Sequence, residues 1–100
     1  MALEEKVVDR LIELGYHISF AESCTGGLCC GTLVNVTNAS KVLDVSFVTY
    51  ANEAKMEFLG VSADTILSNG VVSEEVAYEM ASGVAKVSKS QVGVGITGVA

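Results

Sequence analysis

The sequence predicts an α/β fold, in which helices pack in layers against a sheet. Segments whose apolar residues recur at helical spacing alternate along the chain with short apolar runs typical of buried strands. Half of the 100 residues are hydrophobic, which suits a packed core. A chain of this length forms one domain at most, and no internal repeat or linker divides it. We therefore expect a single domain over residues 1–100.

Two helices and two strands are predicted in the first half of the chain. Leu3 to Leu14 should form a helix that ends at Gly15, because its apolar residues share one face. The first strand follows at Tyr16 to Ala21, and a second helix runs from about Gly26 to Val36. Val42 to Tyr50 is the second strand, and we expect layers on both of its sides because apolar residues occupy both faces.

The second half is predicted to contain mostly helix. Asn52 should cap a short helix from Glu53 to Leu59, and Ala63 to Leu67 forms a further helical turn. Ser73 begins the best-defined helix, with acidic residues in its first turn and lysines near its end. The residues of this helix that should face the core are Val76, Met80, Val84 and Val87.

The last segment, residues 92–100, has the composition of a buried strand. Gly93 and Gly95 alternate with larger apolar residues, so one face of this strand allows another element to approach closely. Domains seldom end on residues that should lie in the middle of a sheet, and the complete absence of proline is unusual at this length. We therefore expect a chain that is truncated at its C-terminus.

Charge and hydropathy exclude several classes of function. The net charge is −6 and the six basic residues are scattered, whereas nucleic-acid binding needs clustered lysine and arginine. No apolar run is long enough to span a membrane, and the N-terminus lacks the basic start of a signal peptide. We expect a cytoplasmic protein with a small-molecule partner, and neither a nucleic acid nor a membrane as partner.

The three cysteines, Cys24, Cys29 and Cys30, do not suggest a disulfide framework, because their number is odd and they lie within seven positions. The only histidine, His17, precedes them in the first strand, so a zinc site is not expected and His17 is interpreted as structural. Cys29 and Cys30 are interpreted as small apolar helix residues.

The first candidate for chemistry is the turn at residues 21–27, between the first strand and the second helix. Ser23 should lie at the carboxyl end of the strand, where ligands bind in open α/β sheets. Gly26 and Gly27 allow a tight turn and expose N–H groups that can hold a phosphate or an oxyanion. The alternative is that Ser23 or Thr25 simply caps the helix.

The second candidate is Lys55, which follows the second strand in the first turn of the next helix. The positive end of the helix dipole and partial burial both disfavour the ammonium form there. A lysine that loses its proton readily can activate a serine hydroxyl without a histidine. The alternative is an exposed lysine paired with Glu53 or Glu57.

Four further groups remain open in role. Tyr50 is either core filler or a phenol that hydrogen-bonds between the serine and the lysine. Residues 96–98 offer one more hydroxyl and glycine at a strand end. Cys24 is a rival nucleophile, because a helix N-terminus lowers the pKa of a thiol. Glu22 either orients the site or is buried with a backbone partner.

Five stretches, taken together and in this order, resemble the C-terminal domain of the competence/damage-inducible CinA proteins. The resemblance covers nearly the whole chain. The stretches are Ala-Glu-Ser-Cys-Thr-Gly-Gly at 21–27, Val-Thr-Tyr-Ala-Asn-Glu-Ala-Lys at 48–55, Leu-Gly-Val at 59–61, Gly-Val-Val-Ser-Glu-Glu-Val-Ala at 70–77 and Ile-Thr-Gly-Val-Ala at 96–100.

The resemblance implies a three-layer α/β/α fold with a mixed sheet, usually as a homodimer. Stand-alone bacterial members deamidate nicotinamide mononucleotide to nicotinate mononucleotide and ammonia, in pyridine nucleotide salvage. By this resemblance Ser23 is the nucleophile, Lys55 its base and Tyr50 the link between them, and no metal or organic cofactor is needed. The residues implied to shape the substrate and oxyanion site are Thr25, Gly26, Gly27, Thr97 and Gly98.

Other functions remain open at this point. The chain resembles only part of a family domain, which continues past Ala100 into a Gly-Pro-Gly-Gly-type loop and further elements that should supply basic groups for the phosphate. A non-catalytic nucleotide-binding or interaction module of a CinA-like protein is therefore an alternative, as is a thiol hydrolase that uses Cys24. Release of ammonia distinguishes an enzyme from a binding module.

Overall fold

A computed structural model describes residues 1–99 and confirms the α/β class. The last residue of the predicted final strand, Ala100, lies outside the described residues. Most predicted elements are present with ends shifted by a few residues. The elements are α1 Leu3–Leu14, β1 Ile18–Glu22, α2 Leu28–Val34, a 3₁₀ turn Ala39–Lys41, β2 Phe47–Val48, α3 Asn52–Leu59, α4 Ala63–Asn69, α5 Glu74–Ser88 and β3 Val92–Gly95.

The three strands form one sheet in the order β2-β1-β3. Both neighbours pair with β1 in parallel, with Glu22 opposite Val48 and Ala21 opposite Gly95. The antiparallel strand that a mixed sheet requires does not lie within residues 1–99. Because all three strands run in the same direction, their carboxyl ends meet at one edge of the sheet.

Helices cover both faces of the sheet, which makes the three layers that were expected. On one face α1 and α2 pack over the side chains of Ile18 and Phe20. On the other face α3 and α5 pack over Ala21. All five residues of β1 are buried, because this strand lies between two neighbours and two helical layers. Over the described residues, no helix is long and apolar enough to cross a membrane.

The prediction for the second strand is wrong in length and in environment. Only Phe47 and Val48 belong to β2, together with an isolated bridge between Leu43 and Ile18. Val45 and Val48 are exposed rather than covered. The reason is position: within residues 1–99, β2 pairs only with β1 and lies at an edge of the sheet. An apolar pattern along the chain does not reveal which strand is at an edge.

The structure confirms the predicted cap of α5 and most of its predicted buried face. The Ser73 hydroxyl accepts a hydrogen bond from the Val76 N–H and caps the helix. Val76, Met80 and Val84 are fully buried, but Val87, which was also predicted to face the core, is exposed at the rim of a groove between α3 and α5.

The cap predicted for α3 is wrong, because Asn52 is already the first helical residue of α3.

The glycines of β3 allow the close approach that the sequence predicts. A Cβ atom added at Gly93 would lie 2.2 Å from the Ala81 carbonyl oxygen, and one at Gly95 would lie 2.2 Å from the Ala77 carbonyl oxygen. Both carbonyls belong to α5, so the backbone of this helix lies directly on β3.

We predict that Gly95→Ala destabilises the protein by about 3 kcal/mol, because the added methyl group overlaps rigid helix backbone. The matched control is Gly31→Ala in α2, where an added Cβ meets nothing within 4 Å. That change should raise the free energy of unfolding by roughly 0.5–1 kcal/mol through helix propensity. Urea denaturation measures both, and equal stability of the two variants would contradict the close approach of α5.

Candidate active site

The three polar clusters predicted at strand ends come together in one cleft. Ser23 follows β1, Thr49 and Tyr50 follow β2, and residues 96–98 follow β3. The cleft has a volume of about 190 Å³, and its lining residues are Ser23, Tyr50, Asn52, Lys55, Val71, Thr97 and Gly98. The parallel sheet therefore brings together at one edge residues that are spread over 76 positions of the chain, from 23 to 98.

Lys55 contacts Ser23 directly. The Lys55 Nζ lies 3.1 Å from the Ser23 Oγ, although the two residues are 32 positions apart. Lys55 is 1% exposed and Ser23 is 5% exposed. The alternative of an exposed lysine is therefore wrong, and no ion pair of Lys55 with Glu53 or Glu57 occurs among the described residues.

The other contacts of Lys55 suit a neutral amine as well as an ammonium group. Its Nζ donates to the carbonyl oxygens of Thr49 at 2.8 Å and Tyr50 at 2.9 Å. An ammonium group has three protons, one for each carbonyl and one for Ser23. A neutral amine keeps the two carbonyl contacts and directs its lone pair at the Ser23 hydroxyl, which can then donate its proton.

Burial lowers the pKa of Lys55, because the charged form loses its hydration, and this effect outweighs a smaller electrostatic effect of Cys24 in the opposite direction. The direction agrees with the expectation from the sequence. The largest cause is burial, and the two backbone carbonyls that Lys55 contacts carry no full charge.

Tyr50 takes part through its backbone and not as the predicted link. Its carbonyl oxygen accepts a hydrogen bond from Lys55, while its side chain is 70% exposed at the cleft. Because Lys55 reaches Ser23 directly, the phenol does not bridge them.

The N–H groups at the start of α2 are bound by the chain's own carboxylate. Glu22 is 1% exposed, and its two oxygens accept hydrogen bonds from the Thr25 hydroxyl and from the N–H groups of Gly27, Cys29 and Cys30. The expectation that Gly27 offers a free N–H to a ligand is therefore wrong. The Thr25 hydroxyl likewise donates to Glu22 and not into the cleft.

Burial raises the pKa of Glu22, but the four hydrogen bonds it accepts outweigh this effect, so the net pKa is lowered. Ionised Glu22 thus stabilises the fold above the ordinary pKa of glutamate. This contribution is lost as the pH falls through the lowered pKa of the folded state.

The two glycines of this turn adopt backbone conformations that other residues rarely adopt. Gly26 has φ +61° and Gly27 has φ +102°, which favour glycine, and the Gly26 N–H donates to the Ser23 carbonyl at 3.1 Å. Within residues 1–99 the N–H groups of Cys24 and Thr25 make no hydrogen bond. These two N–H groups, beside Ser23, are the candidate donors for an oxyanion.

Thr97 and Gly98 close the cleft on the β3 side. The Thr97 hydroxyl donates to the Val71 carbonyl at 2.9 Å and so holds the segment that follows α4. A Cβ atom at Gly98 would lie 3.1 Å from the Cys24 sulfur, so Gly98 allows the chain after β3 to approach the Ser23 turn.

Sequence reasoning placed Thr49 in the second polar cluster without giving it a role, and it missed Val71. Thr49 is 2% exposed and continues the parallel register as the neighbour of Ser23. Its hydroxyl is buried without a hydrogen-bond partner among the described residues. Val71 carries no sequence signal, because it acts through its backbone carbonyl.

The other titratable residues lie outside the cleft or against the core. His17 pairs with Asp44 at 2.7 Å beside the amino end of β1. Cys29 and Cys30 lie on α2 and pack against the core on that face of the sheet, as expected of apolar helix residues. Burial and the Glu22 charge raise the pKa of Cys29, which keeps it a thiol.

Comparison with known proteins agrees with this architecture. The sequence profile described as the CinA C-terminal domain matches residues 1–100. A CinA-like protein of Kosmotoga olearia is 50% identical over 99 residues, which are 99% of this chain and 24% of that protein. A CinA-like protein of Fervidobacterium nodosum is 46% identical over 98 residues, or 98% of this chain and 24% of that protein. The chain thus spans about a quarter of the length of these curated relatives.

Solved structures show the same fold. A CinA superfamily protein of Escherichia coli superposes with a TM-score of 0.86 at 35% identity, over 88% of this chain and 51% of that one. The competence/damage inducible protein CihA of Agrobacterium tumefaciens gives a TM-score of 0.76 at 40% identity, over 92% of this chain and 59% of that one. The profile match, these relatives and the shared fold agree: the chain belongs to the CinA C-terminal domain family.

Proposed function

We propose that this chain carries the catalytic dyad of an amidohydrolase, a nicotinamide-nucleotide amidase that converts nicotinamide mononucleotide to nicotinate mononucleotide and ammonia. The observation that carries the proposal is the 3.1 Å contact between Ser23 and a buried Lys55 whose pKa is lowered. A serine beside a neutral lysine is a known means of nucleophilic catalysis. Family membership and the resemblance described above support the choice of substrate.

The first half of the reaction forms an acyl-enzyme. Neutral Lys55 accepts the Ser23 proton as the Ser23 Oγ attacks the carboxamide carbon. The negative charge that develops on the carboxamide oxygen is stabilised by the N–H groups of Cys24 and Thr25. The tetrahedral intermediate then collapses, the carbon–nitrogen bond breaks, and the Lys55 ammonium gives its proton to the leaving nitrogen, which departs as ammonia.

The second half releases the product. Neutral Lys55 accepts a proton from a water molecule, whose oxygen attacks the ester carbon on Ser23. The ester bond breaks, the serine oxygen takes the proton back from Lys55, and the carboxylic acid leaves as nicotinate mononucleotide. The proposed chemistry uses no metal or organic cofactor.

The phosphate of the substrate needs further contacts. Lys55 is the only basic residue among those that line the cleft, and the proposed reaction occupies it fully. We place the basic groups for the phosphate in other parts of a family domain or in the second subunit of a homodimer. Salvage of a nucleotide is consistent with a cytoplasmic protein.

Ser23→Ala and Lys55→Arg are each expected to lower ammonia release from nicotinamide mononucleotide on the order of a thousandfold or more. The first variant lacks the nucleophile, and arginine stays protonated and cannot accept the serine proton. A coupled ammonia assay with chromatography of the acid product measures both effects.

The control for these variants is Lys86→Arg, since Lys86 is exposed on α5. It should retain wild-type turnover. Full turnover by Ser23→Ala, combined with loss of turnover in Cys24→Ala, would contradict the serine mechanism and identify a thiol hydrolase.

The pH dependence of turnover should report the protonation of Lys55. We expect kcat/KM for nicotinamide mononucleotide to rise with pH to a plateau, with its midpoint below the ordinary pKa of lysine. A midpoint at the ordinary lysine value would be inconsistent with Lys55 as the base.

A further inference from the structure

Glu22 is a buried carboxylate that the proposed reaction does not use. Its Oε1 accepts hydrogen bonds from the Thr25 hydroxyl and from the N–H groups of Gly27, at 3.2 Å, and Cys29, at 3.1 Å. Its Oε2 accepts from the Cys30 N–H at 2.7 Å. All four donors follow Ser23 within seven positions. One side chain therefore binds the whole segment from the turn into the first turn of α2.

The backbone of Glu22 is hydrogen-bonded to the chain that follows the neighbouring strand, β2. Its carbonyl oxygen accepts a hydrogen bond from the Thr49 N–H at 2.8 Å, which ties the end of β1 to the chain after β2. Ser23 is thus the residue between two fixed points, the paired backbone of Glu22 and the segment that the Glu22 carboxylate holds.

Glu22 and Ser23 direct their side chains to opposite faces of the sheet, as successive residues of a strand do. Glu22 binds α2, and Ser23 contacts Lys55 of α3. Consistent with this, Glu22 is not among the causes of the pKa shift of Lys55. Any effect of Glu22 on the reaction therefore passes through the turn that it holds, which positions Ser23 and the adjacent N–H groups of Cys24 and Thr25.

We propose that Glu22 is a positioning residue, whose carboxylate fixes the turn after β1 so that the Ser23 hydroxyl lies within reach of Lys55. The inference rests on the proposed role of Ser23 as nucleophile. This positioning role requires a side chain that only accepts hydrogen bonds. A glutamine could keep one oxygen for three of the donors, but its NH₂ group would then face the Cys30 N–H.

The chain offers a matched control in Glu79. Its carboxylate also accepts hydrogen bonds from a backbone N–H, that of Ser62 at 2.8 Å, and from a threonine hydroxyl, that of Thr65 at 2.6 Å. These hydrogen bonds also lower the pKa of Glu79. Glu79 holds the start of α4 and does not line the cleft.

The test is the second-order rate of Ser23 labelling by a fluorophosphonate, which requires no knowledge of the substrate. The Ser23 Oγ forms a bond to phosphorus, fluoride leaves, and Lys55 accepts the serine proton. Rates are measured over a range of pH, well below the melting temperature of each variant, and mass spectrometry locates the label. The proteins compared are the wild type, Glu22→Gln, Glu79→Gln and Lys55→Arg.

We expect Glu22→Gln to lower the plateau rate roughly tenfold to a hundredfold, because small misplacements of a reacting group have effects of this size. The midpoint of its pH profile should stay that of the wild type, since Lys55 is unaffected. Glu79→Gln should label within about twofold of the wild type even though it loses a comparable helix-end contact. In Glu22→Ala, added formate should restore labelling and neutral formamide should not.

Wild-type labelling rates in Glu22→Gln, or equal losses in the two glutamine variants, would overturn the inference and leave the serine mechanism standing. If wild-type protein is not labelled at Ser23, or if Lys55→Arg labels as fast as wild type, the proposed function fails and this inference fails with it. Should Glu22→Gln not fold, Glu22→Asp retains the carboxylate on a shorter side chain. It should then label more slowly than the wild type at an unchanged pH midpoint, and a wild-type rate would overturn the inference.

Discussion

The burial of Lys55 at the carboxyl edge of the sheet is the constraint on which the site depends. The amine contacts a hydroxyl and two backbone carbonyls, and it has no carboxylate partner among the described residues. A buried lysine in such surroundings is held closer to neutrality than an exposed one. In a purely structural position such burial would only destabilise the fold, whereas beside Ser23 it supplies the base that the proposed reaction needs.

The surroundings of the two buried ionisable groups of the site, Glu22 and Lys55, favour opposite charge states. Glu22 receives four hydrogen bonds that all favour its charged form, while burial of Lys55 favours its neutral form. They lie on opposite faces of β1, so they do not form the ion pair that would hold Lys55 protonated. The alternation of side chains along one strand thus separates an anion that holds the turn from an amine that can take a proton.

Close packing brings the third strand end to the same place. Because Gly93 and Gly95 have no side chain, α5 lies directly on β3, and the chain after β3 continues towards the cleft. There Thr97 holds the Val71 carbonyl and Gly98 passes beside the Cys24 sulfur. The cleft is therefore built from backbone approach as much as from side chains, which is why glycines recur around it.

Local pattern alone determined much of this protein: the helix spans, most of the buried stripe of α5, the close approach to β3 and the location of Ser23 at a strand end. These features follow from spacing between near neighbours, which the sequence displays directly. Only the tertiary structure decided that β2 lies at an edge of the described sheet, that Lys55 reaches Ser23 and not a nearby glutamate, and that Glu22 binds the Gly27 N–H predicted for a ligand. The physical reason is that strand order and side-chain contacts depend on which distant segments become neighbours, and the periodicity of a single segment carries no information about its neighbours in space.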